Sequence, residues 1–298
     1  MRLAVLSDIH SNNVALEVCI EYINHNRIDG VILLGDYVSD CPNPQCTLAH
    51  IKDLKEKYQT WSIRGNREEY FVDYHDKIIT GWKYSSYKGS LLYTYELLTE
   101  EDIEGFRDLP HSMIIEIPGT DPITIAHGSP DSARELLDID KENTKDWLRK
   151  ISTNYILCGH THRQVVYSYK DKLLINPGSV GVAIGAKATA HFAILEWNET
   201  SNLWDYELKA IPYNLERLHK LFDESDLIHK AYIWPKCILK SVETGINYGP
   251  ICAKNAYDLA IAKHEVIYDR IVPEIYWEQA AIDLQIIEPP MESYYATK

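Results

Sequence analysis

The sequence predicts an α/β fold: a four-layer sandwich of two packed, mixed β-sheets flanked by helices, followed by a C-terminal helical extension. Three observations lead there. Short apolar runs alternate with amphipathic helical segments over the first eighty residues, strand-like segments dominate from about 112 to 210, and strand character ends after Pro212. These set the boundaries at 1–212 for a main domain and 213–298 for the extension, which reads as a lid or an oligomer interface.

Each element has its own pattern. RLAVLS near the N-terminus is a continuous apolar run, the pattern of a strand buried on both faces. NNVALEVCIEYINHN is an amphipathic helix with Asn12 as its cap, and GVILLGD is a second buried strand. PQCTLAHIKDLKEKY is a helix with Pro44 near its start, and TWSIRGN a third strand, so the chain opens with βαβ units and a parallel sheet. Residues 82–108 read as an irregular helical insertion in which Thr99 opens a capping-box-like TEED. SMIIEI, PITIAHG, NYILCGH, QVVYSY, KLLINPG, HFAILEW and LWDYELK are strands, and DKENTKDWLRKI adds one more helix. Beyond Pro212, NLERLHKLFDESD, HKAYIWPKCILKSV, AKNAYDLAIAKHEV and PEIYWEQAAIDLQ have helical spacing, and the chain ends in a frayed Pro-Pro and Tyr-rich tail.

Bulk chemistry narrows the function. With 298 residues, 45% of them hydrophobic and 25% charged, the chain has the composition of a globular soluble protein. A net charge of −14 argues against binding a nucleic-acid duplex, whose backbone is met with Lys and Arg. It leaves room for a small phosphorylated substrate where a local cation overcomes the general repulsion, and a metal cluster supplies one. The six cysteines form no CxxC pair and are expected to be reduced thiols. MRLAVLSDIH offers no signal-cleavage site and no run approaches a membrane span, so a cytoplasmic protein without a membrane partner is expected.

The informative residues stand directly behind the apolar runs. LAVLS ends in Asp8-Ile9-His10, VILLG in Asp36, WSIRG in Asn66, ITIA in His127-Gly128, and YILCG in His160-Thr161-His162. Ligand-binding groups gather outside the carboxyl ends of strands in open sheets, so five such ends can converge on one crevice. A glycine before Asp36, Asn66 and His160 lets the backbone turn sharply and approach an ion closely. Each Asp or Asn alone reads first as a turn or helix cap, and a lone His127 as a satisfied core or loop histidine; together they point to a metal site. Mixed nitrogen and oxygen donors suit Mn, Fe, Zn, Co or Ni, and seven ligands fit two ions sharing a carboxylate. His50, His75, His111 and His191 lack this setting and read as structural.

In this order, DIHSN, GDYVSDCPNP, GN, AHGSP, GHTH and NPGSVG resemble the calcineurin-like metallophosphoesterases, in particular their small bacterial phosphodiesterase-type branch, over roughly residues 1–210. The resemblance implies a catalytic domain in which Asp8, His10, Asp36 and His162 hold one metal. It implies that Asp36, Asn66, His127 and His160 hold the other, with Asp36 bridging. Two divalent or trivalent transition ions are implied, Mn or Fe favoured, together with hydrolysis by a metal-bridging hydroxide. Asp36, Asn66, Arg67 and His127 are the candidate catalytic residues, and Arg67 and Asn12 the candidate substrate contacts. NPGSVG shapes a turn beside the site.

Arg67 departs from the Gly-Asn-His found in many members of this superfamily, whose histidine donates a proton to the leaving oxygen. Arginine stays charged, so it clamps phosphate and suits leaving groups that need little protonation, or it only opens a helix and pairs with Glu68, Glu69 or a nearby carboxylate. Ser11 and Asp40-Cys41 are milder departures. Members with a helical extension and a non-histidine after Gly-Asn are similar to hydrolases of dinucleoside polyphosphates. Tyr84, Tyr87, Tyr93, Tyr95, Tyr232, Trp234, Tyr276 and Trp277 could stack on a base, though helical spacing favours core or interface. The expected function is hydrolysis of phosphodiester or phosphoanhydride bonds, for instance in diadenosine tetraphosphate. The alternatives are a phosphomonoesterase or phosphoprotein phosphatase, and a non-catalytic scaffold of the same fold. The expected partner is a small phosphorylated substrate, a nucleotide among the candidates, and the C-terminal helices are a candidate homo-oligomer contact.

Overall fold

Alternation along the first strand explains why its sequence is uniformly apolar. In β1 (Arg2–Leu6), Leu3 and Val5 face one layer and Ala4 and Leu6 the other, all fully buried. A strand covered on both faces has no polar side to show. The computed structural model describes residues 1–265, 267 and 271–289. The expected frayed tail lies outside the described residues.

The βαβ opening is built from β1, α1 (Asn13–His25), β2 (Gly30–Leu33), α2 (Pro44–Lys57) and β3 (Gln59–Ser62), and α3 (Asn66–His75) comes next. Asn12 caps α1 by accepting the N–H of Ala15, and Pro44 opens α2 where its missing N–H is harmless. The insertion supplies α4 (Gly89–Leu97) and α5 (Glu100–Asp108), and Thr99 and Asp102 cap α5 reciprocally. The second half runs β4 (Ser112–Ile115), β5 (Ile123–Ala126), α6 (Glu142–Lys150), β6 (Tyr155–Leu157), β7 (Gln164–Tyr169), β8 (Lys172–Pro177), β9 (Thr189–Asn198) and β10 (Leu203–Pro212).

Two five-stranded mixed sheets result, ordered β10-β9-β1-β2-β3 and β4-β5-β6-β8-β7. The first is parallel from its β3 edge through β2 to β1 and antiparallel across β1-β9-β10, and the second is parallel across β5-β6-β8 with antiparallel β4 and β7 at its edges. Between the sheets, Val5, Ile32 and Leu34 pack with Ile123, Ile125 and Leu157. On the outer faces Leu6 and Leu33 join a cluster with Leu16 and Ile51 from α1 and α2, while Ile156 and Leu174 meet Leu148 of α6. Each such side chain contributes about 2 kcal/mol on burial. The layers are helix, sheet, sheet and helix.

After β10 come α7 (Leu215–Glu224), α8 (Leu227–Ala231), α9 (Trp234–Thr244), α10 (Tyr248–Ala262) and α11 (Glu274–Asp283). The stretch HKAYIWPKCILKSV, expected as one helical segment, is two helices. The chain turns at Tyr232, with φ 49° and ψ −100°, and Pro235 occupies the first turn of α9. These helices dock on the rest of the chain. Lys230 pairs with Glu96 at 3.0 Å, the Ile233 N–H donates to Ser86 Oγ, and the N–H groups of Gly185 and Ala188 donate to the carbonyls of Gly245 and Val242. Among the described residues no helix is long and apolar enough to cross a membrane, and the six cysteines are free thiols.

Candidate metal centre

Parallel strands that end on one rim must turn abruptly if their next side chains are to point into a shared space. Here the turns are strained: Asp8, His10, Asp36, His160 and His162 have φ of 53°, 51°, 53°, 66° and 58°. The left-handed region costs an L-residue about 1–2 kcal/mol and persists only where the surroundings impose it. Neighbouring loops impose it. The N–H of Asp8 donates to Gly35 O and that of His10 to Asp36 O, while the N–H of His160 donates to Asp8 Oδ2 at 2.9 Å and that of Arg67 to Asp36 Oδ1 at 2.8 Å.

The glycines serve a different purpose from the one expected. Of the three that precede a ligand, only Gly35 has a positive φ, at 90°. Gly65 is glycine because a Cβ there would lie 2.2 Å from Asp36 Oδ1, and Gly159 because a Cβ would lie 2.0 Å from Ser7 Oγ. They make room for adjacent strand ends.

The side chains converge. Asp8 Oδ1 lies 3.3 Å from His162 Nε2, 3.7 Å from His10 Nε2 and 3.8 Å from His127 Nε2. Asp36 Oδ2 lies 3.5 Å from His127 Nε2 and 3.7 Å from His10 Nε2, and Asn66 Oδ1 is 3.2 Å from His127 Nε2. Donor atoms of Asp8, His10 and His162 all lie within 4.8 Å of one another, as do those of Asp36, His127 and His160. The outer ring nitrogens are anchored. His127 Nδ1 is 2.7 Å from Leu34 O, His162 Nδ1 is 3.0 Å from Val182 O, and His10 Nδ1 is 3.0 Å from Ser39 Oγ and 3.3 Å from Asp40 Oδ2. A proton on each Nδ1 leaves the inward Nε2 with a lone pair, the arrangement of a metal-ligating histidine.

Two features test whether cations fit. Asp8 Oδ1 is buried with no hydrogen-bond partner, and His10 Nε2 and His162 Nε2 converge to 3.0 Å, a contact that needs a proton or a cation between the two nitrogens. A cation between them resolves both. The electrostatics agree. Burial raises the Asp8 carboxyl, but His162 and His127 bring it well below the ordinary range; burial raises Asp36 too, and His127 and His10 pull it strongly down. Burial lowers His10 and His127, yet Asp40 and Asp8 lift the first to about 9, and Asp36 and Asp8 lift the second to about 10. His160, buried beside His127, falls to about 4. The anionic pocket draws positive charge, and the donor set of carboxylate, imidazole and amide matches transition ions.

Three further residues shape the site. Asp40 is 2% exposed and holds Arg67 Nη2 at 3.0 Å and His10 through Oδ2, while its Oδ1 accepts the Trp234 indole N–H at 2.8 Å. Burial raises its carboxyl, but Arg67 and then His10 hold it far below the usual range. Glu68, 0% exposed, accepts the N–H groups of Gly65, Asp36 and Tyr37 at 2.8 to 2.9 Å, clasping two ligand loops together; burial and the nearby Asp36 push it up to about 7. Its signal was a glutamate three residues into the helix after Gly65, a capping position. Trp234 carries no sequence signal for this role.

Arg67 opens α3 and pairs with Asp40, and it also faces the cleft, with Nε buried and unpartnered. Asn12 is not in the cleft. It is fully buried, its Oδ1 caps α1, and its Nδ2 donates to Gly181 O and Tyr213 Oη, which corrects the expectation of a substrate contact. NPGSVG buttresses the rim: Ser179 Oγ and the Gly181 N–H donate to Asp8 O, and Asn176 Nδ2 to Gly159 O. The cleft above the ligands has a volume of about 460 Å³ and is closed on its far side by Trp234, Ile238, Asn247 and Pro250 of the extension. His50, His75, His111 and His191 lie outside it.

Residues 1–200 match the calcineurin-like phosphoesterase superfamily domain. An uncharacterized protein of Methanocaldococcus jannaschii is 27% identical over 236 residues, spanning 73% of this chain and 90% of its own. A metallophosphoesterase from Sphaerobacter thermophilus superposes with a TM-score of 0.64 at 21% identity, covering 83% of this chain and 99% of that one. A hypothetical protein from Pyrococcus horikoshii superposes with a TM-score of 0.67 at 21% identity, covering 82% and 98%. At these identities the structural likeness speaks for the fold.

Proposed function

Because the chain belongs to the calcineurin-like phosphoesterase superfamily, we propose that it is a two-metal phosphohydrolase acting on phosphodiester or phosphoanhydride bonds. Asp8, His10, Asp36 and His162 hold one ion, and Asp36, Asn66, His127 and His160 the other, with Mn or Fe favoured. The observation that carries this reading is the unpartnered Asp8 Oδ1 among inward-facing imidazole nitrogens. When bound, two such ions polarise the phosphoryl oxygens and lower the pKa of water enough for attack at neutral pH.

The chain's own residues do the rest. Leu34 O, Val182 O and Asp40 fix the three imidazoles in their ligating tautomers. Hydrolysis forms a phosphorus–oxygen bond from water and breaks the opposite one, with negative charge growing on the leaving oxygen. Arg67, which lines the cleft, meets that charge without giving up a proton, since its guanidinium stays charged and Asp40 and Asp36 raise its pKa further against the effect of burial. Leaving groups that depart as stable anions are therefore suited, and both an aryl phosphodiester and an anhydride such as diadenosine tetraphosphate provide one.

The test is hydrolysis by the manganese-loaded protein of an aryl phosphodiester, an aryl phosphomonoester and diadenosine tetraphosphate, with metal content measured alongside. Turnover of the diester or anhydride, lost on chelation and restored by metal, is expected. A chain that binds no transition ion and turns over nothing overturns the reading in favour of a scaffold.

A further inference from the structure

The cleft has two unlike sides. On the same lining as the metal ligands, Trp234, Ile238 and Pro250 of the extension, with Val182 and Leu136, supply an apolar wall. Trp234 is fixed in it from three directions. Its indole N–H donates to Asp40 Oδ1 at 2.8 Å, its ring meets the buried Trp277 edge-on at 6.4 Å, and Gly249 lies so close that a Cβ there would sit 3.0 Å from the ring.

Charge on the same lining decides what the wall faces. Asp36, Asp40 and Asp138 stand against Arg67, Lys141 and Arg163. Arg67 is engaged by Asp40 and Arg163 by Asp138, each at 3.0 Å, so Lys141 is the one lining cation without a carboxylate partner among the described residues. Beyond the metal centre, a polyphosphate tail finds only Lys141 to neutralise it, in a chain of net charge −14. A planar apolar group finds a preformed surface.

Resting on the phosphoesterase reading, we propose that the preferred substrate is a singly charged phosphodiester with an apolar, planar ester group. That group seats on Trp234, which makes the extension the specificity-determining half of the site. Phosphodiesters outrank polyphosphates for the same reason.

The test uses two diesters with one leaving group, phenyl 4-nitrophenyl phosphate and methyl 4-nitrophenyl phosphate, with diadenosine tetraphosphate as a third substrate. In the manganese-loaded full chain, kcat/KM for the phenyl ester should exceed that for the methyl ester and for the tetraphosphate by about tenfold. Trp234→Ala should bring the two esters within about twofold of each other, whereas Trp234→Phe, which keeps a ring, should retain most of the preference. Equal rates on both esters in the unmodified protein, preference for the tetraphosphate, or an unchanged ratio in Trp234→Ala overturns the proposal. If Trp234→Ala does not fold, Ile238→Ser interrogates the same wall. Calorimetric titration with the singly charged, ester-free methyl(phenyl)phosphinate and dimethylphosphinate separates the two levels. Tighter phenyl binding without any turnover keeps the wall and rejects the hydrolase, while turnover with equal binding and equal ester rates keeps the hydrolase and rejects the wall.

Discussion

The ligand rim and the extension wall line one cleft and are built on opposite principles. On the rim the donors are fixed by a strained backbone, by a hydrogen bond to the outer atom, or by both, as with His162, whose φ is 58° and whose Nδ1 is held on Val182 O. On the wall, Ile238 and Pro250 are placed by packing alone, and only Trp234 reaches across to a charged group. The rim can therefore impose geometry on an ion. The wall can only offer shape.

That contrast predicts unequal damage. Asp36→Asn strikes the rim where both donor groups meet, and kcat/KM for an aryl diester should fall on the order of a thousandfold with loss of bound metal, measured by kinetics and elemental analysis. Retention of full metal content would break the contrast, since the rim would then tolerate loss of its shared carboxylate. Asp40→Asn sits at the junction of both sides. Because His10 loses the anion that orients it, metal affinity should drop by about tenfold to a hundredfold in a calorimetric titration. A change confined to substrate preference would instead assign Asp40 to the wall. Arg67→His should have the smallest effect, a shift of about fivefold towards alkyl over anhydride substrates through restored protonation of the leaving oxygen. An unchanged ratio would leave Arg67 as a helix-opening residue paired to Asp40.

The same contrast explains which residues the sequence reveals. Asp8, His10, Asp36, Asn66, His127, His160 and His162 are legible because few residue types bind metals and all seven stand at the ends of apolar runs. The parallel pair β1-β2 of the first sheet is legible from strands lacking polar alternation. Glu68 is harder: its role depends on backbone N–H groups arriving from another loop, at Asp36 and Tyr37. Trp234 is readable as an aromatic but not as a cleft residue, because its partner Asp40 lies 194 positions away. The break at Tyr232 has Pro235 as its local signal, and proline is tolerated in a first helical turn without announcing a preceding bend.

Five of the seven rim residues occupy a backbone conformation that glycine adopts freely. Substituting glycine at any of them would relieve on the order of 1 kcal/mol of backbone strain and delete a donor in the same step, but at Asp8 and Asp36 it would also strand the N–H groups of His160 and Arg67. The ligand side chains are thus also the clamps of the strained turns, so that the backbone of one loop is held in shape by the carboxylate of the next.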